Sequence, residues 1–233
     1  MKYKEVWCIS DIHGNYEKLV VMLQELGFLD GDEDLIEQPL EDKHIIFLGD
    51  YIDKGDNPWD VLGLVETLVD HGYAHAIMGN HDFWLHRYLN GADVMLTDER
   101  KRTIALLEKA DPDWKKFVKA FLGTLPFFYE IEGFKFAHAV YSKSAAQGTP
   151  NKQRFMLYGP VDRDAPPRED NLPNRVPWYE TYDGRYGTIV FGHYSLDNKV
   201  SQYPHAVCVD CGVFKEGGQL GAYELYTKKV VHV

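Results

Sequence analysis

Short apolar runs alternate with amphipathic segments in the first part of the chain. Glu5 to Ser10 predicts a strand, and Asn15 to Gly27 predicts a helix whose leucines recur at helical spacing. Lys43 to Leu48 and Ala74 to Met78 predict two further strands, and Pro58 to about Val69 predicts the helix between them. Because strand, helix and strand follow one another, we expect a parallel sheet.

The pattern changes in the second half. Asp82 to Leu122 predicts two or three helices with a break near Asp111-Pro112, and Glu132-Gly133 predicts a hairpin. The strands of a second, mainly antiparallel sheet are predicted at Phe127 to Ile131, Phe134 to His138, Thr188 to Phe191, Ala206 to Val209, Ala222 to Tyr226 and Val230 to Val233. The expected fold class is therefore α/β, a two-sheet sandwich flanked by helices.

The segment from Tyr141 to Gly187 lacks periodicity and is rich in Pro, Gly, Asn and Arg. A loop of this length in a compact domain is usually functional or disordered, so we expect it to cover a substrate. Nothing in the sequence indicates a repeat or a linker, and residues 1–233 are expected to form a single domain.

Composition narrows the classes of function. With 233 residues, 45% of them hydrophobic, the chain can bury a large core. The net charge of -11 argues against binding to long nucleic acid but leaves small phosphorylated ligands open. No apolar stretch approaches the roughly 20 residues of a membrane span, and the first strand leaves no room for a signal peptide, so we expect a cytoplasmic protein without a membrane partner. Three cysteines do not indicate a disulfide framework.

Five polar motifs follow predicted strands. They are Ser10-Asp11-Ile12-His13-Gly14-Asn15, Gly49-Asp50-Tyr51-Ile52-Asp53-Lys54-Gly55, Gly79-Asn80-His81-Asp82, Phe136-Ala137-His138-Ala139 and Phe191-Gly192-His193. Taken singly, each Asp or Asn is an ordinary helix cap or turn residue, and each His is an ordinary core residue. Together they supply the side chains that two divalent cations need, at the strand ends where α/β sheets bind ligands.

The spacing suggests a role for each ligand. Asp11 and His13 are expected to hold a first metal, and Asp50 to bridge two cations about 3.5–4 Å apart. The neutral ligands expected for the second metal are Asn80, His138 and His193. Imidazoles suit Mn, Fe or Zn better than Mg or Ca, so we expect two divalent ions, with Mn favoured and Fe, Zn, Ni or Co as alternatives.

In these motifs the chain resembles the calcineurin-like metallophosphoesterase superfamily, from Asp11 to about Leu220. Gly192-His193-Tyr194-Ser195 has serine where the superfamily often has a second histidine, which resembles the phosphoprotein phosphatase branch. In that branch the first metal has three protein ligands and completes its shell with water. Val209 to Phe214 is similar to prokaryotic and phage members, which include small protein phosphatases, symmetrical dinucleoside tetraphosphatases and polynucleotide phosphatase modules.

The resemblance implies roles for residues that are not ligands. His81 would be the general acid that protonates the leaving oxygen, oriented by Asp53. Lys54 stands where the family commonly has a phosphate-binding arginine, and a lysine lacks the bidentate fork. Arg163 and Arg185 in the long loop are candidates to compensate.

The expected function is that of a metal-dependent phosphatase that hydrolyses phosphomonoesters by in-line attack of a metal-bound hydroxide. The alternatives are a symmetrical dinucleoside tetraphosphate hydrolase and a polynucleotide or cyclic-nucleotide phosphatase. A non-catalytic module that binds a phosphorylated ligand is a rival from another class. The substrate thus stays open between a phosphorylated small molecule, a nucleotide and a phosphoprotein.

Overall fold

The computed structural model describes residues 3–31, 42–166 and 174–233. The strands, in chain order, are β1 (Glu5–Ile9), β2 (Lys43–Phe47), β3 (Ala74–Ala76), β4 (Phe128–Ile131), β5 (Phe134–Ala137), β6 (Val161–Asp162), β7 (Asn174–Arg175), β8 (Ile189–Phe191), β9 (Ser201–Gln202), β10 (Ala206–Cys208), β11 (Gly221–Glu224) and β12 (Val230–His232). The helices are α1 (Tyr16–Glu25), α2 (Pro58–Asp70), α3 (Asn80–Leu89), α4 (Asp98–Lys109), α5 (Pro112–Thr124), α6 (Lys143–Ala146), α7 (Pro150–Gln153), α8 (Phe155–Tyr158) and α9 (Trp178–Thr181).

Two five-stranded sheets form the body of the fold. The first has the order β12-β11-β1-β2-β3, in which β1, β2 and β3 are parallel. The second has the order β4-β5-β8-β10-β9 and is antiparallel at its edges and parallel at its centre. The predicted fold class, an α/β two-sheet sandwich with flanking helices, is confirmed.

Alternation along the strands fills the space between the sheets. In β1, Val6 and Cys8 join a buried cluster between the sheets, whereas Trp7 and Ile9 face the helices on the other side. The second sheet contributes to the same cluster with Phe136, Val190 and Val207. Central strands such as β1, β2, β8 and β10 thereby bury both faces, which is why their sequences appear as continuous apolar runs.

The last two strands differ from the sequence prediction. We expected Ala222 to Tyr226 and Val230 to Val233 in the second sheet, but β11 pairs antiparallel with β1 and β12 completes that first sheet. A period-2 pattern specifies a pleated strand and its faces but not its partner. The Glu224 carboxylate accepts the backbone N–H of Val6 (3.1 Å) and thereby helps to fix this pairing.

The helices that connect β3 to β4 follow the predicted break. Helices α3, α4 and α5 occupy the expected region, and α5 begins with Pro112 after an Asp111 cap. The segment from 141 to 187 contains four short helices and the β6–β7 ribbon, and its residues 167–173 lie outside the described part. Within the described ranges, the helices are all too short or too polar to cross a membrane.

Candidate metal centre

The polar motifs converge at the carboxyl ends of β1, β2, β3, β5 and β8. Backbone hydrogen bonds lock the loops together: Asp11 N–H donates to Gly49 O (3.2 Å), and His13 N–H donates to Asp50 O (2.9 Å). Gly192 N–H donates to His138 O (2.8 Å), which joins the loops of the second sheet. The centre is therefore built on rigid strand ends.

The loops carry an unusual concentration of backbone strain. Among the described residues, nine other than glycine have positive φ, and all but Glu132 and Lys228 belong to these motifs: Asp11, His13, Asp50, Asp53, Lys54, His193 and Ser195. Such conformations persist where surrounding structure enforces them, and they cluster at functional sites. Gly192 is required because a Cβ there would collide with Ser10 Oγ and Asp11 Oδ2.

Asp50 lies at the middle of the cluster. Its Oδ2 is 3.4 Å from His138 Nε2, 3.7 Å from His13 Nε2 and 4.0 Å from His81 Nε2. It therefore belongs to two groups of side chains that suit a metal, one with His13 and His81 and one with His138 and His193. This central place is the geometry that a bridging carboxylate requires.

The donors on the His138 side fit a divalent ion. His138 Nε2 lies 2.9 Å from Asn80 Oδ1 and 3.0 Å from His193 Nδ1. Around an ion with ligand bonds of about 2.0–2.1 Å, adjacent donor atoms are about 2.9–3.4 Å apart. Imidazole, amide and carboxylate donors at this spacing match a borderline divalent metal.

Outer hydrogen bonds fix the imidazoles. His138 Nδ1–H donates to Leu48 O (2.8 Å), and His13 Nδ1–H donates to Ile52 O (2.9 Å). These bonds orient each ring so that its Nε2 lies towards Asp50. Holding a ligand through its second ring nitrogen is typical of metal-binding histidines.

Charge in the cluster is strongly coupled. Burial alone would raise the pKa of Asp50, but His138 and His81 hold it well below its usual range. Burial alone would lower the pKa of His138, but Asp50 and Asp11 raise it to about 9. Burial, together with neighbouring positive charge, lowers the pKa of His13 and of His193 well below the usual value. These two rings are therefore neutral, as metal ligands must be.

Asp11 lies beside this cluster. Its carboxylate is buried, and Oδ2 accepts the Ser10 hydroxyl and the backbone N–H of His193 (3.0 Å). Burial and the charge of Asp210 raise its pKa well above the usual range, and His138 opposes them. Asp11 therefore carries its negative charge at this buried position only when positive charge lies close by.

His81 and Asp53 form a pair at the rim. His81 Nδ1–H donates to Asp53 Oδ2 (2.6 Å), which also accepts the indole N–H of Trp84 (2.7 Å), and Thr103 donates to Oδ1. Burial alone would lower the pKa of His81, but Asp50 and the bond to Asp53 raise it. His81 Nε2 thus faces the cluster and suits either a proton donor or a ligand.

The three candidate phosphate contacts lie in different places. Lys54 reaches the cluster, with Nζ 2.9 Å from His13 Nε2 and 3.4 Å from the centre of the Phe214 ring. Arg163 is exposed and lines a cavity beside Tyr158. Arg185 is paired with Asp183 through Nε (2.9 Å) and a terminal nitrogen (2.6 Å), in a cavity with Glu130 and Lys135. The structure does not bring Arg185 to the cluster.

Several contributors were missed by sequence reasoning. Arg175 on β7 lies 5.3 Å from the Tyr194 ring, and its charge helps to lower the pKa of His193. Asp82, which we expected to be the N-cap of this helix, is instead the third residue of α3, and Gly79 is the N-cap. The Asp82 carboxylate accepts the backbone N–H groups of Gly79 (2.9 Å) and Asp50 (2.7 Å). Glu99 on α4 lies close to Asp53 and His81. No spacing signal distinguishes Arg175 within its aperiodic segment.

Comparison with known proteins gives a consistent result. The family model described as calcineurin-like phosphoesterase matches residues 4–222. The chain is 30% identical over 193 residues to the asymmetrical bis(5'-nucleosyl)-tetraphosphatase PrpE of Bacillus subtilis (strain 168), covering 79% of this chain and 77% of that protein. The PrpE protein of Geobacillus thermodenitrificans (strain NG80-2) is 30% identical over 222 residues, covering 92% and 87%.

A solved structure shares the fold. A crystal structure provisionally described as a diadenosine tetraphosphatase superposes with a TM-score of 0.68 at 20% identity, covering 99% of this chain and 93% of the other. The family model spans nearly the whole chain, and the matched region contains the clustered Asp, Asn and His residues. The chain therefore belongs to the calcineurin-like phosphoesterase family.

Proposed function

We propose that this chain is a metal-dependent hydrolase of dinucleoside tetraphosphates that cleaves them asymmetrically, into a nucleoside monophosphate and a nucleoside triphosphate. The observation that carries the proposal is the convergence of three imidazole nitrogens on Asp50 Oδ2. The choice of substrate rests on the relatives named as asymmetrical tetraphosphatases. These names favour a dinucleotide substrate over the phosphomonoester expected from the sequence, and asymmetrical over symmetrical cleavage.

In this proposal two metal ions bind, one on each side of Asp50. Asp11 and His13 would hold one ion, and the second would be held by Asn80, His138 and His193. When bound, such ions activate a water and neutralise charge on phosphate oxygens. Manganese is the ion we expect, because imidazole donors disfavour Mg and Ca.

Other residues would act on the substrate directly. His81 would give the proton of Nε2 to the leaving phosphate oxygen, while Asp53 keeps the other ring nitrogen protonated and oriented. Lys54 and Arg175 would supply positive charge to non-bridging oxygens, since Lys54 lies beside His13 and the charge of Arg175 acts on His193. Hydrolysis adds one water across one phosphoanhydride bond and needs no covalent intermediate.

Product analysis tests the proposal. Diadenosine tetraphosphate incubated with the protein and Mn²⁺ is expected to give AMP and ATP in equal amounts. Two ADP molecules would indicate symmetrical cleavage. Faster turnover of a phosphoserine peptide would indicate a protein phosphatase, and faster turnover of a 2',3'-cyclic nucleotide would indicate a cyclic-nucleotide phosphatase. Hydrolysis of p-nitrophenyl phosphate reports an active centre independently, and saturable binding without product would indicate a binding module.

A further inference from the structure

The described part of the chain exposes three Phe, Tyr or Trp side chains, and all three lie on segments beside the metal centre. They are Phe155, Tyr158 and Phe214, which are 42%, 37% and 42% exposed. The Phe214 ring is 5.2 Å from the His13 ring, and the Tyr158 ring is 6.5 Å from the His193 ring. Exposed aromatic surface that gathers at one place on a protein marks a binding site.

Phe155 and Tyr158 are held on a fixed support. They are three residues apart on α8 and so lie on one face of that helix turn. Between them, Met156 and Leu157 are fully buried, and Met156 O accepts the backbone N–H groups of Ala139 (2.8 Å) and Val140 (3.3 Å). Because Ala139 follows His138, the backbone that carries the two rings is fixed relative to the metal ligands, which reduces the ordering needed on binding.

A cavity of about 480 Å³ lies beside these rings, and its lining includes Asn151, Arg154, Phe155, Tyr158, Val161 and Arg163. Its volume lies within the usual range for small-molecule sites. Among the described residues, the lining carries two arginines and no acidic residue, although the chain has a net charge of -11. Burial and the charge of Asp50 raise the pKa of Tyr158, and the charges of Arg154, Arg100 and Arg87 oppose that rise. Positive charge is thus concentrated at this end of the centre.

We propose that this cavity is the subsite for one nucleoside of the substrate and the phosphates attached to it. The base stacks on the Phe155 and Tyr158 rings, and Arg154 and Arg163 contact the phosphates. Aromatic faces bind any nucleobase by stacking, and arginines bind phosphate oxygens through paired N–H groups. The inference rests on the proposed dinucleotide activity, which it deepens by assigning residues to one half of the substrate.

Phe214, the third exposed aromatic residue, is less suited to stacking on a base. The Lys54 ammonium lies 3.4 Å from the centre of the Phe214 ring, and Lys215 Nζ lies 5.9 Å from it. A cation over the ring already uses the face on which a base would stack. Phe214 thus provides a comparison residue of equal exposure.

Inhibition of p-nitrophenyl phosphate hydrolysis by AMP and by ribose 5-phosphate tests the subsite. Both inhibitors carry the phosphate and the sugar, so the ratio of their inhibition constants isolates the contribution of the base. We expect AMP to bind the parent on the order of tenfold more tightly. Phe155→Leu and Tyr158→Leu should bring this ratio towards one, whereas Phe214→Leu should preserve it.

Substitution of Arg154 or Arg163 should affect the two inhibition constants differently from substitution of the aromatic residues. Arg154→Ala and Arg163→Ala should raise the inhibition constants of AMP and ribose 5-phosphate together and leave their ratio in place. Arg185→Ala is the matched control, because its guanidinium is paired with Asp183 in a different cavity. Every substituted position is at least partly exposed, and residual hydrolysis of p-nitrophenyl phosphate shows that each variant is folded.

The outcomes separate this inference from the proposed function. A parent ratio near one, or a ratio that falls in Phe214→Leu but not in Phe155→Leu and Tyr158→Leu, overturns the subsite even if diadenosine tetraphosphate is hydrolysed. A ratio that falls as expected supports the subsite. If the parent at the same time leaves diadenosine tetraphosphate intact, the proposed activity is wrong and the cavity binds another nucleotide.

Discussion

Asp50 belongs to both groups of candidate metal ligands. Its Oδ2 faces three imidazole nitrogens, its Oδ1 accepts the backbone N–H of His81 (2.9 Å), and its own N–H is held by Asp82. The strained φ of 59° aims the carboxylate between the two groups of donors. One carboxylate thus couples both halves of the site.

Replacing this carboxylate tests the bridge. Asp50→Asn keeps the shape of the side chain but removes its charge, so the variant should lose most of its bound metal and nearly all turnover. Elemental analysis of the purified variant measures the metal. Ser195→Ala is the control, because the Ser195 hydroxyl donates to Asp210 (2.7 Å) and its loss should leave metal content unchanged. Full metal occupancy in Asp50→Asn would contradict the bridging role.

A substitution can show whether His81 is a general acid or a metal ligand. If it donates a proton, His81→Ala should retain two ions and lose on the order of 10²–10⁴ in rate. The loss should be smaller for p-nitrophenyl phosphate than for an alkyl phosphate, because nitrophenolate leaves without protonation. Rates on the two substrates and metal content decide the matter. Equal losses on both substrates would argue against a general acid, and loss of metal would make His81 a ligand.

A third test asks whether Lys54, which stands where the family commonly has arginine, contacts phosphate. Lys54→Ala should weaken inhibition by inorganic phosphate, and Lys54→Arg should restore or strengthen it through bidentate hydrogen bonds. Arg175→Ala should weaken it as well, because the charge of this guanidinium acts on His193. The inhibition constant of phosphate is measured for each variant, with Arg185→Ala as the control. An unchanged constant in Lys54→Ala excludes a phosphate contact by the lysine.

At the scale of elements, the proposed metal ligands follow the ends of short strands, and short helices lie around them. The strands and the positions of the five motifs were predictable, because each apolar run ends where a polar motif begins. Sheet membership of β11 was not, since an antiparallel partner can come from anywhere in the chain. The four short helices between 141 and 187 escaped prediction because four residues are too few to show a period.

The same limit applies to the arginines. Arg163, Arg175 and Arg185 all lie in this aperiodic segment, and only tertiary placement separates them. Arg175, on the β6–β7 ribbon, lies 5.3 Å from the Tyr194 ring, where its charge acts on His193, whereas Arg185 is paired with Asp183. The local sequence does not predict where these arginines lie in the folded chain. Asp11 and Asp50 could be predicted as candidates because each follows the end of a predicted strand.

The attachment of α8 is testable through stability. Leu157 is fully buried in the large apolar cluster on the helix side of the first sheet. Leu157→Ala should lower the free energy of unfolding by about 2–5 kcal/mol, because it leaves a cavity in the core. Leu96→Ala, at a side chain that is 42% exposed, should change it by less than about 0.5 kcal/mol. Urea unfolding measures both, and equal effects would mean that α8 contributes little to the core.

At the scale of the whole molecule, the candidate centre places several charged side chains in a buried position between two apolar sheets. Asp11, Asp50 and Asp210 are buried at the strand ends, and His138 is a buried group whose pKa is raised by Asp50 and Asp11. Without a bound cation, a proton on His138 must offset the carboxylates. Stability should therefore depend on both metal and pH.

Metal removal should expose this dependence. In chelated protein the pKa of His138 is about 9, against about 6.5 for an unfolded histidine, so its stabilising contribution is complete below about pH 6.5 and is lost as the pH rises through about 9. The raised pKa of His81 acts in the same direction. We expect the free energy of unfolding to fall by about 1–3 kcal/mol over this range.

Added Mn²⁺ should abolish that slope, because the ion takes over the role of the proton. At a concentration 100 times its Kd, each bound ion should also stabilise the fold by about 2.7 kcal/mol. Urea unfolding at about pH 6.5, 7.5 and 8.5, with chelator or with Mn²⁺, measures both effects. His138→Gln in chelator should show a flatter profile, since the titrating group is gone while a polar side chain remains. A parent profile that is equally steep with and without Mn²⁺ would place the charge balance outside the metal centre.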